Sequence, residues 1–319
     1  MKNLIKTTLL ATTFAAIQGC APSSYKITAP VTSTNQYQVD NVTTHNLNFS
    51  DKRDTSTTPF NHGVLKADLI LDNQPLAPVE FLQKNVLLEL QARGLPASVL
   101  DTSDTEIRIN KLNMRNHRTN AYTPFITFTM LSADIITPEN TQRVAVYVKR
   151  GKVPVWSFDE IIEPTLNQPM DVLVKELSAK INRALYKQQL SNADVQTLIS
   201  KIKANLDKDI TYLDVYQLGF SNNPTAIDYL VELTKHDGEY IRLAAISSLG
   251  NMQSVAHFQL LKDLYENSKT WSDRAMALKA IGDLNTDQSR SFLAEAQAGL
   301  NKKNSKETLW TTELINLYL

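Results

Sequence analysis

With 319 residues, of which 42% are hydrophobic, the chain has material for two domains with substantial cores. Lysine plus arginine and aspartate plus glutamate number 33 each, so no net field draws the chain to nucleic acid, which is excluded as the first class of partner. The single cysteine, Cys20, excludes an intramolecular disulfide and any metal site built from several thiolates.

The chain opens on MKNLIKTTLLATTFAAIQG, residues 1–19, with Lys2 and Lys6 ahead of an uncharged run from Thr7 to Ile17. That order is the order of a secretory signal. Eleven residues at a 1.5 Å rise fall short of a hydrocarbon core of ~30 Å, so the run does not span a bilayer as a helix. Ile17, Gln18, Gly19 and Cys20 resemble the bacterial lipobox, in which the cysteine is acylated and becomes the new N-terminus. The resemblance implies a lipoprotein held to a lipid membrane through acylated Cys20, since each buried CH₂ of an acyl chain contributes about 0.8 kcal/mol. Ala21 stands where an aspartate would favour the inner membrane. By resemblance the expected location is the periplasmic side of the outer membrane, with surface exposure left open.

Residues 20–38 are rich in Ser, Thr, Pro and Asn and read as a flexible tether. Residues 39–190 mix two periods. Leu65, Ala67, Leu69 and Leu71 alternate as in a half-buried strand, whereas Leu82, Val86 and Leu90 follow helical spacing between Pro78 at the start and Gly94 at the stop. Four β-rich runs follow, with turn signals at Pro138 to Asn140 and at Gly151, the latter predicting a hairpin between VAVYV and VPVWSF. Val174, Leu177, Ile181 and Leu185 then mark a second helix. This order predicts an α+β domain, an antiparallel sheet with two helices on one face. The D-x-R turn in FSDKRD, the helix ending in ARGL at 92–95 and the closing helix resemble the small YajG-like periplasmic lipoproteins. That resemblance implies fold and compartment only.

From 191 to 319 the strand period vanishes. TYLDVYQLG, RLAAISSLG and RAMALKAIG end at Gly219, Gly250 and Gly282, offsets of 31 and 32, and each is followed by a further apolar helix. Each unit is two short helices with a glycine turn, and such pairs bury their faces only by stacking. The segment predicts an all-α solenoid of about four pairs opened by SNADVQTLISKI, with Ser191 or Asn192 as its first cap. The arginine, small residues and L-G ending resemble HEAT repeats of the short, lyase-like type. Arg242, Gly250, Arg274 and Gly282 are therefore expected to pack one pair on the next, and Ala245 and Ala277 to space the helices. Tyr216, Ser247 and Lys279 share one register and are the candidate partner-binding face on the concave side.

Catalytic signatures are missing from the sequence. The nine glycines do not cluster into a phosphate-binding loop, and the five histidines show no metal-ligand spacing, so no cofactor and no metal are expected. S-x-x-K occurs at Ser23–Lys26 and Ser200–Lys203 without its companion motifs. Asp159, Glu160 and Glu163 read as a solvated strand end, and Lys111, Arg115, Arg118 and His117 as a basic set facing water or an anionic headgroup. The expected function is a lipid-anchored envelope scaffold or adaptor, more a binding protein than an enzyme, with a protein partner at its helical repeats. A periplasmic ligand-binding or lyase-like enzyme and an accessory lipoprotein of an envelope transport or assembly machine are the alternatives.

Overall fold

The computed structural model describes residues 24–39, 42–54, 59–100, 102–300 and 305–319; the signal segment and Cys20 lie outside them. The first described element, β1 (Ser24–Lys26), is a strand where a tether was expected. It runs parallel to β4 (Asp68–Leu71), and Tyr25, Ile27 and Tyr37 are buried. Composition concealed this because three apolar side chains suffice when the main chain is also held: Tyr37 N–H donates to Arg93 O at 3.0 Å and Gln38 N–H to Gln189 O at 2.8 Å. β5 (Gln74–Pro75) returns antiparallel to β4 through Asp72 and Asn73, both with positive φ, as a two-residue type I′ loop requires.

The main sheet has the order β6-β2-β7-β8-β9, with β2 (His45–Asp51), β6 (Ala97–Val99), β7 (Glu106–His117), β8 (Phe125–Ile136) and β9 (Thr141–Lys152). Only β7, β8 and β9 are antiparallel. β2 lies parallel to both β6 and β7, and β3 (Asn61–Gly63) lies parallel to the far end of β7, so the expected all-antiparallel sheet is corrected to a mixed one. Its parallel half follows from α1 (Pro78–Ala92) lying between β2 and β6, since parallel neighbours need a crossover. Pro78 starts α1, Gly94 ends it at φ +81°, and Leu82, Val86 and Leu90 are buried as their spacing demands.

The predicted hairpin at Gly151 does not form. β9 continues through Gly151, paired with Ile126, to Lys152, and the next residues leave the sheet with Trp156 exposed. Gly151 is instead a contact point. The Tyr240 hydroxyl accepts from its N–H at 3.0 Å and donates to its carbonyl at 3.1 Å. Helical turns over 158–167 then lead into α2 (Gln168–Ile181), which is buried on nearly every side.

Among the described residues eight α-helices follow: α3 (Asn192–Lys203), α4 (Thr211–Gly219), α5 (Ile227–Leu233), α6 (Glu239–Asn251), α7 (Phe258–Asn267), α8 (Trp271–Asp283), α9 (Asp287–Leu300) and α10 (Lys306–Ile315). They pair into four hairpins, and the second members α4, α6, α8 and α10 stack side by side as an inner row. The Ser191 hydroxyl caps α3 by accepting from Asp194 N–H at 3.0 Å. The repeated glycines are helical and do not make the turns. At each of them the next unit passes close: a Cβ on Gly250 would lie 2.4 Å from the Ala280 Cα. The left-handed turn residue comes three positions later, at Asn222, Gln253 and Asn285, each with φ between 50° and 54°. The chain is thus an α+β sheet domain followed by a helical solenoid, with one continuous core through both. Among the described residues no helix is long and apolar enough to cross a membrane.

Candidate functional site

The inner row of the solenoid is the surface on which partner binding was expected, and the structure fills it. Tyr216, Ser247 and Lys279 do share one register, but all three are buried. The correction has a geometric cause: the inner row wraps over the free edge of β9, which needs covering, and meets α2 on one side and the sheet on the other. The concave surface binds the protein's own first domain.

At its centre four charged side chains close into a ring. Glu176 and Lys180 stand one turn apart on α2, and Lys279 and Asp283 one turn apart on α8. Lys180 Nζ donates to Asp283 Oδ1 at 2.6 Å and pairs with Glu176 Oε1 at 2.8 Å; Lys279 Nζ donates to Glu176 Oε1 and pairs with Asp283 Oδ2 at 2.7 Å. Ser247 accepts from Lys279 at 2.7 Å, and the Tyr318 hydroxyl donates to Asp283 Oδ1 at 2.9 Å. Two ammonium groups and two carboxylates sum to zero charge. Burial disfavours the Lys279 ammonium, yet the Asp283 and Glu176 carboxylates outweigh it and hold its pKa above the ordinary value. Burial likewise opposes the Asp283 carboxylate, and Lys180 and Lys279 together hold its pKa below the usual range. Burial pushes the Tyr318 and Tyr216 phenols up, so both stay protonated donors.

Further contacts extend the seam. The Arg150 guanidinium lies 3.7 Å from the centre of the Tyr240 ring and 4.6 Å from that of Tyr212, a cation held between aromatic faces. Lys149 Nζ donates to Glu239 Oε1 at 2.6 Å and to the Ser272 hydroxyl at 2.8 Å. Arg115 and Lys111 both pair with Glu313 of α10, Arg115 at 2.5 Å, and Arg115 also lies over the rings of Phe128 and Trp310. These two residues, expected to face water, are interdomain ties. The segment read as a tether clasps the other end: Tyr37 donates to Phe220 O at 2.8 Å, and Ser33 to Gln217 Oε1 at 3.2 Å.

In chemical terms this is a lock. Each charged group of the ring is ion-paired with another, Glu176 Oε2 and Asp283 Oδ2 being left without a hydrogen bond among the described residues, and the crevice beside it measures only about 10 Å³, the order of one water. The repeat residues lie between successive units: Arg242 holds Asp273 through both carboxylate oxygens at 3.0 Å, and Arg274 reaches Glu307 at 3.4 Å. Gly282 sits under the Tyr318 ring as Gly250 sits under Ala280. Glu160 is no free carboxylate, for it closes a capping box with Ser157 at the start of the 158–161 turn and accepts from the N–H groups of Val155, Trp156 and Ser157. Among the described residues no three His, Cys, Asp or Glu side chains converge as metal ligands.

Sequence reasoning missed Glu176, Lys180, Asp283, Tyr318 and Arg150. Two signals pointed to the first three. Glu176 and Lys180 form an i,i+4 pair beside the apolar stripe of Val174, Leu177 and Ile181, and Lys279 and Asp283 are the only charges from Ala275 to Leu284. A family model described as HEAT repeats matches residues 195–282, from three residues into α3 to one residue before the end of α8. No curated protein matches the chain.

Proposed function

We propose that the chain is a lipid-anchored adaptor of a bacterial cell envelope, fixed by acylated Cys20 on the periplasmic side of the outer membrane and engaging an envelope protein through its HEAT-like array. The observation that carries this reading is that the array is locked to the sheet domain through its inner row. It therefore stands as a rigid extension whose outer row, α3, α5, α7 and α9, is the surface on offer. On α7 that surface is charged and solvated, with the Lys262 and Glu266 side chains 36% and 47% exposed. HEAT-type arrays commonly act as protein-binding scaffolds, because stacked pairs create extended area without a cleft. The lipobox resemblance supports the anchor, and the YajG-like order of elements supports the compartment.

Two measurements in intact cells test this. Cys20→Ser is expected to move the protein from the membrane to the soluble fraction. A photo-crosslinking residue at position 266 is expected to trap a partner that the same residue at position 247 does not. Cys20→Ser protein that stays in the membrane fraction sinks the anchor, and equal trapping from both positions sinks the outer-row assignment.

A further inference from the structure

The end of the sheet opposite the β8–β9 turn is unlike the rest of the surface. The β7–β8 turn, the segment after β9 and the residue after β3 meet there, because Phe125 pairs with Lys152 and Gly63 with Asn116. This end carries Val64, Tyr122, Val153, Val155 and Trp156, five of the large apolar or aromatic side chains left exposed. Trp156 is 93% and Tyr122 91% exposed, so both project from the body and do not line a groove. Behind them lies an open apolar cavity of about 400 Å³, lined by Tyr25, Val64, Leu65, Arg118, Phe125 and Phe158. The Arg118 guanidinium braces the turn by donating to the carbonyls of Thr123 and Ala121 and lies 5.7 Å from the centre of the Phe158 ring.

The chain enters the fold at this place. Tyr25 lines the cavity, with its ring 6.0 Å from that of Phe158, and Ser24 begins β1. Ser24 follows Cys20 by four Cα-to-Cα steps, a reach of at most about 14 Å even fully extended. Taking the acylated Cys20 of the proposed function as the anchor, any bilayer holding it lies within that reach of Ser24, next to Tyr25 at the apolar cavity behind the exposed aromatic tips. Tryptophan and tyrosine favour the headgroup level, where an apolar ring and a polar handle are both satisfied. Basic Arg118 on the cavity wall, basic Lys152 opposite Phe125 and acidic Asp159 near Tyr25 give this end both signs of charge, as a zwitterionic headgroup layer carries.

We propose that this end of the sheet rests on the bilayer, with Trp156 and Tyr122 inserted at the headgroup level as a second contact beside the lipid anchor. The contact sets the orientation of the molecule: the sheet end with its apolar cavity faces the lipid and the helical array is held to one side.

The test uses the full chain in vesicles of phosphatidylethanolamine and phosphatidylglycerol whose acyl chains are brominated near the headgroup. Of the three tryptophans, Trp271 and Trp310 pack edge to face at 5.3 Å, and only Trp156 stands free. Partial quenching of the tryptophan emission is expected. Trp156→Ala should abolish that component with an unchanged melting temperature, and Tyr122→Trp should add a new one. Emission that bromolipid leaves unchanged, or quenching that survives Trp156→Ala, overturns the assignment. So does a Trp156 buried by self-association before lipid is added. The mass of the peptide bearing Cys20, read from the same sample, tests the anchor separately.

Discussion

The two faces of the long antiparallel strands are built from different chemistry. Because side chains alternate along a strand, Ile107, Ile109, Leu131, Ala133, Ile135, Val144, Val146 and Val148 share one face, which packs under α1 and α2 as hydrocarbon. The other face presents Lys111, Arg115, Phe128, Ser132, Tyr147 and Lys149, and the solenoid covers it with Glu313, Trp310, Glu239 and the C-terminal carbonyls. A polar sheet face normally means water. Here it means a charged lid supplied by the same chain ninety or more residues later, with Lys149 meeting Glu239 and Arg115 meeting Glu313. The apolar face gives cohesion without direction, whereas the charged face fixes one register of solenoid against sheet.

The sharpest way to break this contrast is at the buried ring. Lys279→Met leaves Glu176 and Asp283 buried with one ammonium between them, and removing one partner of a buried ion pair costs about 3–5 kcal/mol. Chemical denaturation is expected to show that loss for Lys279→Met. The double variant Lys279→Met with Glu176→Gln restores the charge balance and is expected to recover more than half of it. If the two substitutions simply add, the ring is four independent charges and fixes nothing.

On the apolar face the expected cost is of another kind. Leu131 is fully buried in β8, and Leu131→Ala leaves a cavity worth about 2–4 kcal/mol in the same measurement. No second substitution that balances charge rescues it. A Leu131→Ala loss below about 1 kcal/mol would show that the helices over this face collapse readily, and the contrast between the faces would then be one of packing quality.

How much of this was legible follows the same division. Leu82, Val86 and Leu90, or Val174, Leu177 and Ile181, declare their burial because an apolar stripe has one economical use, and the glycine-ended repeats declare stacking. Tyr216, Ser247 and Lys279 share one register of the inner row, yet their surroundings are not readable from the sequence, since no local pattern tells a solvated concave face from one filled by a distant segment. Gly151 misled for a related reason: the space it leaves is taken by Tyr240, 89 residues away, while a hairpin would have needed the same residue locally. The short segment from Ser24 to Gln38 was misread because averaging over polar residues hid Tyr25, Ile27 and Tyr37.

A smaller effect follows from titration. The pKa of Asp283 is held down in the fold, so its contribution is present above the unfolded value of 3.8 and is lost as pH falls below it through the folded value. Lys279, held above 10.5, contributes fully below that pH and loses its contribution only as pH rises beyond it. The ring is therefore a clamp through the whole neutral range that opens in acid. Denaturation midpoints measured from about pH 7 down to ~3 are expected to fall more steeply in the wild-type chain than in Asp283→Asn. Parallel slopes would mean that other carboxylates govern the acid response.

The smallest predicted loss probes the rim of the charged face. Lys149 pairs with Glu239 at 2.6 Å, but the Glu239 side chain remains 39% exposed, so water screens the pair and replaces part of what is removed. Lys149→Met keeps the apolar stem of the side chain, whose shaft lies in the row that also holds Phe128 and Arg115. The loss should be about 1 kcal/mol, a fraction of that at Lys279, and should shrink further in high salt, which the buried ring should not feel. A Lys149→Met loss as large as that of Lys279→Met, insensitive to salt, would place the directional part of the seam along the whole of β9. The ring on α2 and α8 would then be one tie among equals.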